Sequence, residues 1–210
     1  MNKLSIFASM MMMMCLPMMA QKNGSKAQVK PDPNFQIYLC FGQSNMEGNA
    51  AIEDIDRTGV NPRFMAMYAV DDEKAGWKKG QWHTAVPPQA RPDTGLTPVD
   101  YFGRKMVDNL PDSIKVGTIT VAVGGASIDL FDKRTCKAYL KKQPDWMKNF
   151  ASQYNGNPYA RLIELAKIAQ KQGVIKGILL HQGETNNGDV NWPNRVKTVY
   201  NDILKELHLK

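Results

Sequence analysis

A serine between two amides follows a short apolar segment near the beginning of the sequence. Residues 37–46 read IYLCFGQSNM, and the apolar part, which ends at Gly42, has the length of a buried strand. Ser44 comes two residues later, between Gln43 and Asn45. A serine in the turn after a parallel strand presents its hydroxyl clear of the sheet, beside the free N–H groups of the next helix, as a nucleophile requires. The alternative is an ordinary turn in which Ser44 or Asn45 caps the helix.

Two further polar blocks follow apolar runs later in the sequence. Residues 123–127 read VGGAS, and residues 179–186 read LLHQGETN. The carboxyl ends of parallel strands share one edge of a sheet, so we expect all three blocks around a single site. The double glycine, Gly124 and Gly125, allows a backbone N–H to approach a ligand closely, and it equally suits a tight turn.

In this order the three blocks resemble the SGNH/GDSL hydrolase superfamily, and more narrowly its sialate O-acetylesterase branch, which includes carbohydrate esterase family six and its acetylxylan esterases. That branch carries Gly-Gln-Ser-Asn-Met, then a double glycine, then His-Gln-Gly-Glu. The resemblance covers residues 35–210 and implies a three-layer α/β/α domain with a parallel, flavodoxin-like sheet. It also implies an exported serine esterase that removes O-acetyl groups from a carbohydrate, either sialic acid or acetylated xylan.

The resemblance gives each block a role. Ser44 is expected to be the nucleophile, and its own N–H and that of Gly125 are expected to bind the oxyanion. Gln182 stands where the wider superfamily has an asparagine, so its side-chain amide is expected to be a further oxyanion donor. The other expected site residues fix the geometry: Gln43, Asn45, Gly124, His181 and Glu184.

Two residues of the third block have alternative roles. His181 lies at a strand end and would suit a general base, and Glu184 could orient a histidine, hold the turn or contact a sugar hydroxyl. In the family, however, the base belongs to a later Asp-x-x-His block, which this sequence does not contain up to Lys210. We therefore predict a fragment of a longer protein that is nearly inactive as given. The alternatives are a general short-chain esterase and a non-catalytic glycan-binding relative.

Composition and charge do not indicate a partner other than the carbohydrate substrate. The length of 210 residues suits one domain with a real core, and the net charge of +7 is spread along the chain without a nucleic-acid motif. No His, Cys and carboxylate cluster has metal-ligand spacing, so we expect neither a metal nor a cofactor. An acetylated carbohydrate is the expected partner, and the oligomeric state is left open.

The amino-terminal residues are typical of an exported protein. Residues 1–20 have a short basic start, a methionine-rich apolar run and a cleavage site near Ala20, which predicts a signal peptide rather than a membrane span. Cys15 suits a lipoprotein less well, because Met14 precedes it. Residues 21–34 are predicted to be a polar tether before the esterase domain, 35–210, and the protein is predicted to be secreted or periplasmic. A disulfide between Cys40 and Cys136 is left open.

Strands and helices are predicted to alternate along the domain. The predicted strands are 35–41, 64–68, 115–123 and 174–180, and the predicted helices are 97–110, 158–172 and 193–209. Residues 71–94 are predicted to be a loop, and His83 and His208 to be exposed. The segment 128–157 contains several aromatic residues, which predict either a sugar-binding cleft or a short helix, 145–154, packed on the domain.

Overall fold

The computed structural model describes residues 30–210, so the predicted signal peptide and residues 21–29 lie outside the described part. The described residues form a five-stranded sheet with helices on both faces. The strands are β1 (Phe35–Gly42), β2 (Phe64–Met67), β3 (Trp82–Thr84), β4 (Lys115–Ala122) and β5 (Val174–His181). The α-helices are α1 (Ser44–Glu47), α2 (Asp54–Arg57), α3 (Pro98–Asn109), α4 (Cys136–Lys141), α5 (Asp145–Ser152), α6 (Pro158–Ala169) and α7 (Trp192–Glu206).

The sheet is mostly parallel, in the order β3-β2-β4-β1-β5. Only the β2–β3 pair is antiparallel; β2, β4, β1 and β5 run in the same direction. The predicted α/β class is therefore confirmed. Strand β1 lies between β4 and β5, whereas in the flavodoxin order the first strand lies between the second and third.

The alternating side chains of β1 divide the core into two layers. Ile37, Leu39 and Phe41 pack with residues of α6 and α7 on one face of the sheet. Cys40, on the opposite face, packs with residues of α1 and α3. A parallel sheet that is apolar on both faces must be covered on both, which is why the strands read as nearly continuous apolar runs.

The predicted loop 71–94 is wrong in one place, because Trp82–Thr84 form the edge strand β3. Three residues give too short an alternating pattern to predict a strand. The strand exists because Met65 to Met67 of β2 pair with it in antiparallel register. Its formation therefore depends on a neighbour in space, and not on its own sequence.

Segment 128–157 contains the short packed helix that was one of its two predicted alternatives, and the sugar-binding cleft stays a prediction. Helix α5 forms within it as predicted, and Phe131 and Tyr154 are fully buried in the core. Trp146 is different, because 48% of its surface remains exposed. The segment thus packs on the domain and leaves one indole ring in solvent.

The two cysteines of the described chain are buried and unpaired, so the disulfide left open by the sequence is not present. Burial raises the pKa of the Cys40 thiol to about 12 and that of the Cys136 thiol to about 11. Both thiols therefore remain protonated and behave as small apolar side chains. Within residues 30–210 no helix has the length and apolarity to cross a membrane, and no cluster of His, Cys and carboxylate side chains could hold a metal ion.

Helix α3 begins as the sequence predicts, with Thr97 as its cap and Pro98 in its first turn. The cap depends on a buried acid: Asp100 accepts a hydrogen bond from the Thr97 N–H at 3.0 Å and one from Gln89 Nε2 at 2.6 Å. Removal of this carboxyl from water raises the pKa of Asp100 to about 6, although both hydrogen bonds act in the opposite direction.

The raised pKa of Asp100 predicts a pH-dependent contribution to stability. An unfolded aspartate titrates near pH ~4, so between about pH 4 and pH 6 the folded chain holds a proton that the unfolded chain releases. The contribution of Asp100 to the free energy of unfolding should therefore be largest below pH ~4 and fall as the pH rises to about 6. Urea unfolding should be measured for the wild type and for Asp100→Asn across this pH range. The free energy of unfolding should fall more steeply with rising pH in the wild type than in the variant. Identical slopes would contradict the raised pKa assigned to Asp100.

Candidate active site

Backbone pairing brings the three sequence blocks together. Gly42, the last residue of β1, lies opposite Ala122 of β4 and His181 of β5. Hydrogen bonds continue beyond the strands, since Gln43 N donates to the carbonyl of His181 at 3.0 Å and Val123 N donates to that of Gly42 at 3.1 Å. The serine, double-glycine and His-Gln-Gly-Glu blocks therefore meet at one edge of the sheet.

The turn from β1 into α1 requires a glycine. A Cβ atom on Gly42 would lie 2.0 Å from the carbonyl oxygen of His181, which is far inside van der Waals contact. Gln43 then caps α1, and Ser44 is its first residue, half-buried at the sheet edge. Among the described residues the Ser44 hydroxyl makes no hydrogen bond, so no protein group occupies it.

Two backbone N–H groups near Ser44 are also free. In residues 30–210, neither the N–H of Ser44 nor that of Gly125 has an acceptor, whereas the N–H of Gly124 donates to Glu47 Oε1 at 3.0 Å. A Cβ atom on Gly124 would lie 3.9 Å from the Cβ of Ser44, so the double glycine borders the serine. Gly125 has a φ of +69°, a conformation that favours glycine. This geometry suits the predicted oxyanion site of Ser44 and Gly125.

A buried ion pair supports the double glycine. The Arg91 Nη1 atom lies 2.5 Å from Glu47 Oε1 and donates to the carbonyl of Ala122 at 2.9 Å. The Arg91 side chain is 2% exposed and the Glu47 side chain 8% exposed. Sequence reasoning missed both residues, because the pair spans 44 positions and Arg91 lies in a segment predicted only as loop. The Glu47 carboxylate thus fixes the strand end of β4 against α1.

Gln43 joins the first block to the third. Its Oε1 atom accepts hydrogen bonds from Gly183 N and Thr185 N, both at 3.3 Å, and from Gln182 Nε2 at 3.2 Å. The Thr185 hydroxyl in turn donates to the carbonyl of Gly125 at 3.0 Å. The predicted positioning role of Gln43 thus has a definite geometry, and Thr185, which the sequence did not single out, connects the third block to the second.

Gln182 is buried and its amide is held at both ends. Its Nε2 donates to Asn186 Oδ1 at 2.7 Å and to the carbonyl of Ala126 at 3.2 Å, besides its bond to Gln43. Its Oε1 accepts from Trp192 Nε1 at 2.6 Å. The predicted donation to an oxyanion stays a prediction, and in this structure it requires exchange of one of these bonds.

Asn45, Glu184 and His181 form a second cluster beside Ser44. Asn45 Nδ2 donates to Glu184 Oε1 at 2.7 Å, and His181 Nε2 lies 3.4 Å from the same oxygen. Glu184 therefore contacts the His181 ring, which suits its alternative role of orienting a histidine, and it also binds the Asn45 amide. His181 is exposed, and among the described contacts its ring makes no hydrogen bond with Ser44.

The other two histidines lie away from this cluster. His208 is exposed, as predicted. His83 is not: its ring stacks on Trp77 with centroids 3.8 Å apart, and its Nδ1 lies 2.8 Å from the carbonyl of Thr84. Partial burial lowers the pKa of His83, because removal from water disfavours the charged ring. The prediction of an exposed His83 is therefore wrong. His83 lies in strand β3, which the sequence did not predict, and this strand holds its ring partly buried.

A three-layer α/β domain with a free serine, a double glycine and a buried amide pair at one sheet edge has the architecture of an α/β esterase. A family model described as carbohydrate esterase, sialic acid-specific acetylesterase, matches residues 34–210, and the chain belongs to this family. The resemblance seen in the three sequence blocks is therefore confirmed.

Solved structures share the fold at low sequence identity. A protein of Arabidopsis thaliana is 19% identical with a TM-score of 0.61, over 85% of this chain and 71% of that one. A carbohydrate acetylesterase from Xanthomonas citri is 19% identical with a TM-score of 0.55, over 83% and 39% of the two chains. A protein named NanS is 16% identical with a TM-score of 0.56, over 86% and 64%. The chain thus spans less than two thirds of the second and third of these proteins.

Proposed function

We propose that this protein is an exported serine esterase that hydrolyses O-acetyl groups on a carbohydrate, with sialic acid and acetylated xylan as the two candidate substrates. The observation that carries the proposal is the unengaged Ser44 hydroxyl beside the free N–H groups of Ser44 and Gly125. Membership of a carbohydrate esterase family supports the substrate class.

The proposed reaction proceeds through an acetyl-enzyme. Ser44 Oγ attacks the acetyl carbonyl carbon while a general base accepts the hydroxyl proton, and the N–H groups of Ser44 and Gly125 stabilise the oxyanion. The sugar oxygen leaves with the proton returned by the base. A water molecule then attacks the acetyl-enzyme by the same route and releases acetate.

The other site residues hold these groups in place. The Glu47 carboxylate binds Gly124 N and so fixes the loop that presents Gly125 N. Gln43 and Gln182 connect the serine turn to the third block through their mutual hydrogen bond of 3.2 Å. The proposal keeps Gln182 as a further oxyanion donor, engaged once a substrate displaces one of its present acceptors.

The proposal assigns the base to a histidine of the family's Asp-x-x-His block, which residues 30–210 do not contain. A second candidate function follows from the same observation, since the described residues place no histidine in hydrogen-bond contact with Ser44. In this second candidate function the protein is a family member without a catalytic base, which binds acetylated glycans and does not hydrolyse them.

The direct test uses the mature protein from its natural source. Its acetate release from O-acetylated sialic acid and from acetylated xylo-oligosaccharides should be measured beside Ser44→Ala produced in the same host. Ser44-dependent release from either sugar supports the esterase. Binding of both sugars without acetate release would replace it by the glycan-binding alternative.

The same preparation tests export and domain organisation. Signal cleavage near Ala20 predicts an amino terminus at Gln21. An intact mass several kilodaltons above that of residues 21–210 is expected if the natural chain carries the Asp-x-x-His block. A mass equal to that of 21–210 would contradict the proposed downstream base.

A further inference from the structure

An exposed indole ring borders the proposed oxyanion site. Trp146 on α5 keeps 48% of its surface in solvent. A Cβ atom on Gly125 would lie 2.9 Å from Cη2 of this indole and 3.8 Å from its Cζ2. The six-membered ring of Trp146 therefore lies directly against the residue whose N–H is proposed to bind the oxyanion.

The packing of α5 does not explain this exposure. The neighbouring Met147 is 2% exposed and fills the space beneath the helix, with its Cε 3.4 Å from the same Cβ position on Gly125. Ala151, one turn later, is also fully buried. Helix α5 is thus anchored by residues other than Trp146, so the exposed face of the indole is available to contact a ligand.

The indole is held by the same contacts that order the site. Its ring meets Phe150 edge to face, with centroids 5.9 Å apart, and the guanidinium carbon of Arg91 lies 4.6 Å from the Phe150 centroid. Arg91 binds Glu47, and Glu47 binds the N–H of Gly124. Trp146 is therefore connected through three side chains to the double glycine, and it offers a rigid surface at little conformational cost.

We infer that Trp146 is the stacking platform for the sugar ring that carries the acetyl group. An acetyl carbonyl oxygen bound by the N–H groups of Ser44 and Gly125 places its ester oxygen, and the sugar beyond it, at the mouth of the site. A pyranose has an apolar face of C–H groups, which matches an exposed aromatic face, while its hydroxyl groups stay in water. The inference rests on the proposed function, because it takes the oxyanion position from it.

The binding test needs no turnover. The chain, labelled with 5-fluorotryptophan and carrying Ser44→Ala, is titrated with xylotetraose and separately with N-acetylneuraminic acid while its fluorine resonances are recorded. Trp146→Phe assigns the signal of Trp146 among the four tryptophans. We expect a saturable shift of the Trp146 signal with at least one sugar. Trp146→Ala should weaken binding by about tenfold, which is the scale of one aromatic contact, and Trp146→Phe by less.

A matched control is Tyr200→Ala, which removes another exposed aromatic ring, on α7, with 45% of its surface in solvent. Its affinity for both sugars should equal that of the parent. The inference is overturned if the Trp146 signal does not move with either sugar, or if Trp146→Ala binds as tightly as the parent.

Activity separates this inference from the proposed function. In the natural protein, Trp146→Ala should lower kcat/KM for an acetylated sugar by about tenfold more than it lowers kcat/KM for methyl acetate, which has no ring. If acetate release depends on Ser44 but is the same in Trp146→Ala, the stacking role of Trp146 is wrong and the esterase function stands. If the sugar binds at Trp146 but no acetate is released, the stacking role stands and the esterase function is wrong.

Discussion

Imidazole in solution should accelerate hydrolysis of an alkyl acetate by the 210-residue chain, and the acceleration should vanish in Ser44→Ala. In the described structure the Ser44 hydroxyl and the N–H groups of Ser44 and Gly125, the proposed oxyanion donors, are unengaged, but no histidine ring hydrogen-bonds to the serine. A diffusible imidazole can supply the missing proton acceptor. Loss of one member of a catalytic triad lowers the rate by about 10⁴ to 10⁶, and its members act as a unit.

Without imidazole, Ser44 lacks a proton acceptor among the described residues. Wild type and Ser44→Ala should then differ by less than about tenfold, because a serine without its base adds little to the oxyanion site. Acetate release followed by proton NMR measures both rates, and an alkyl ester keeps direct attack by imidazole small. In the presence of imidazole only the chain with Ser44 should respond.

His181→Asn is the decisive companion variant. Its ring lies 3.4 Å from Glu184 and is exposed, so its replacement should leave both the basal and the imidazole-dependent rates within about twofold. If instead the wild-type chain turned over at about 1–10³ s⁻¹ without imidazole, as ordinary enzymes do, and His181→Asn abolished that rate, the base would be His181. The prediction of a nearly inactive chain would then be wrong.

The sheet and its three polar blocks were predictable because their signals are local. Strands β1, β4 and β5 are apolar runs that end at, or two residues before, Gly42, Gly124 and Gly183, and their observed ends lie within one residue of the predicted ones. Thr97 and Pro98 marked the beginning of α3 in the same way. Parallel pairing then determines where the blocks meet, so the site followed from the strand ends.

What the sequence did not reveal depends on distant partners. Strand β3 forms only because β2 offers it an edge, and His83 becomes half-buried as a result. Gln182 hydrogen-bonds to Gln43, which lies 139 positions away in the sequence. The side-chain amide of Gln182, which was predicted to face a substrate, therefore donates to acceptors of the protein instead. Contacts of this kind carry no periodicity in a single sequence.

Replacement of Arg91 by methionine should lower the free energy of unfolding by about 3–5 kcal/mol. The substitution keeps most of the apolar volume but leaves the Glu47 carboxylate buried without its cation. An uncompensated buried charge is costly, whereas an exposed pair contributes only about 0–1 kcal/mol. Urea unfolding at pH 7 measures the loss. Lys79→Met is the matched control, because Lys79 pairs with Glu164 at 2.7 Å on the surface.

A second substitution distinguishes a lost ion pair from lost packing. Glu47→Gln in the Arg91→Met background removes the orphan charge, and its amide oxygen can still accept the Gly124 N–H. The double variant should therefore regain much of the stability that Arg91→Met lost, because no uncompensated charge is then buried. If the double variant is no more stable than Arg91→Met, the loss comes from the contacts of Arg91 with Phe150 and Ala122. The charge would then have no part in holding the double glycine.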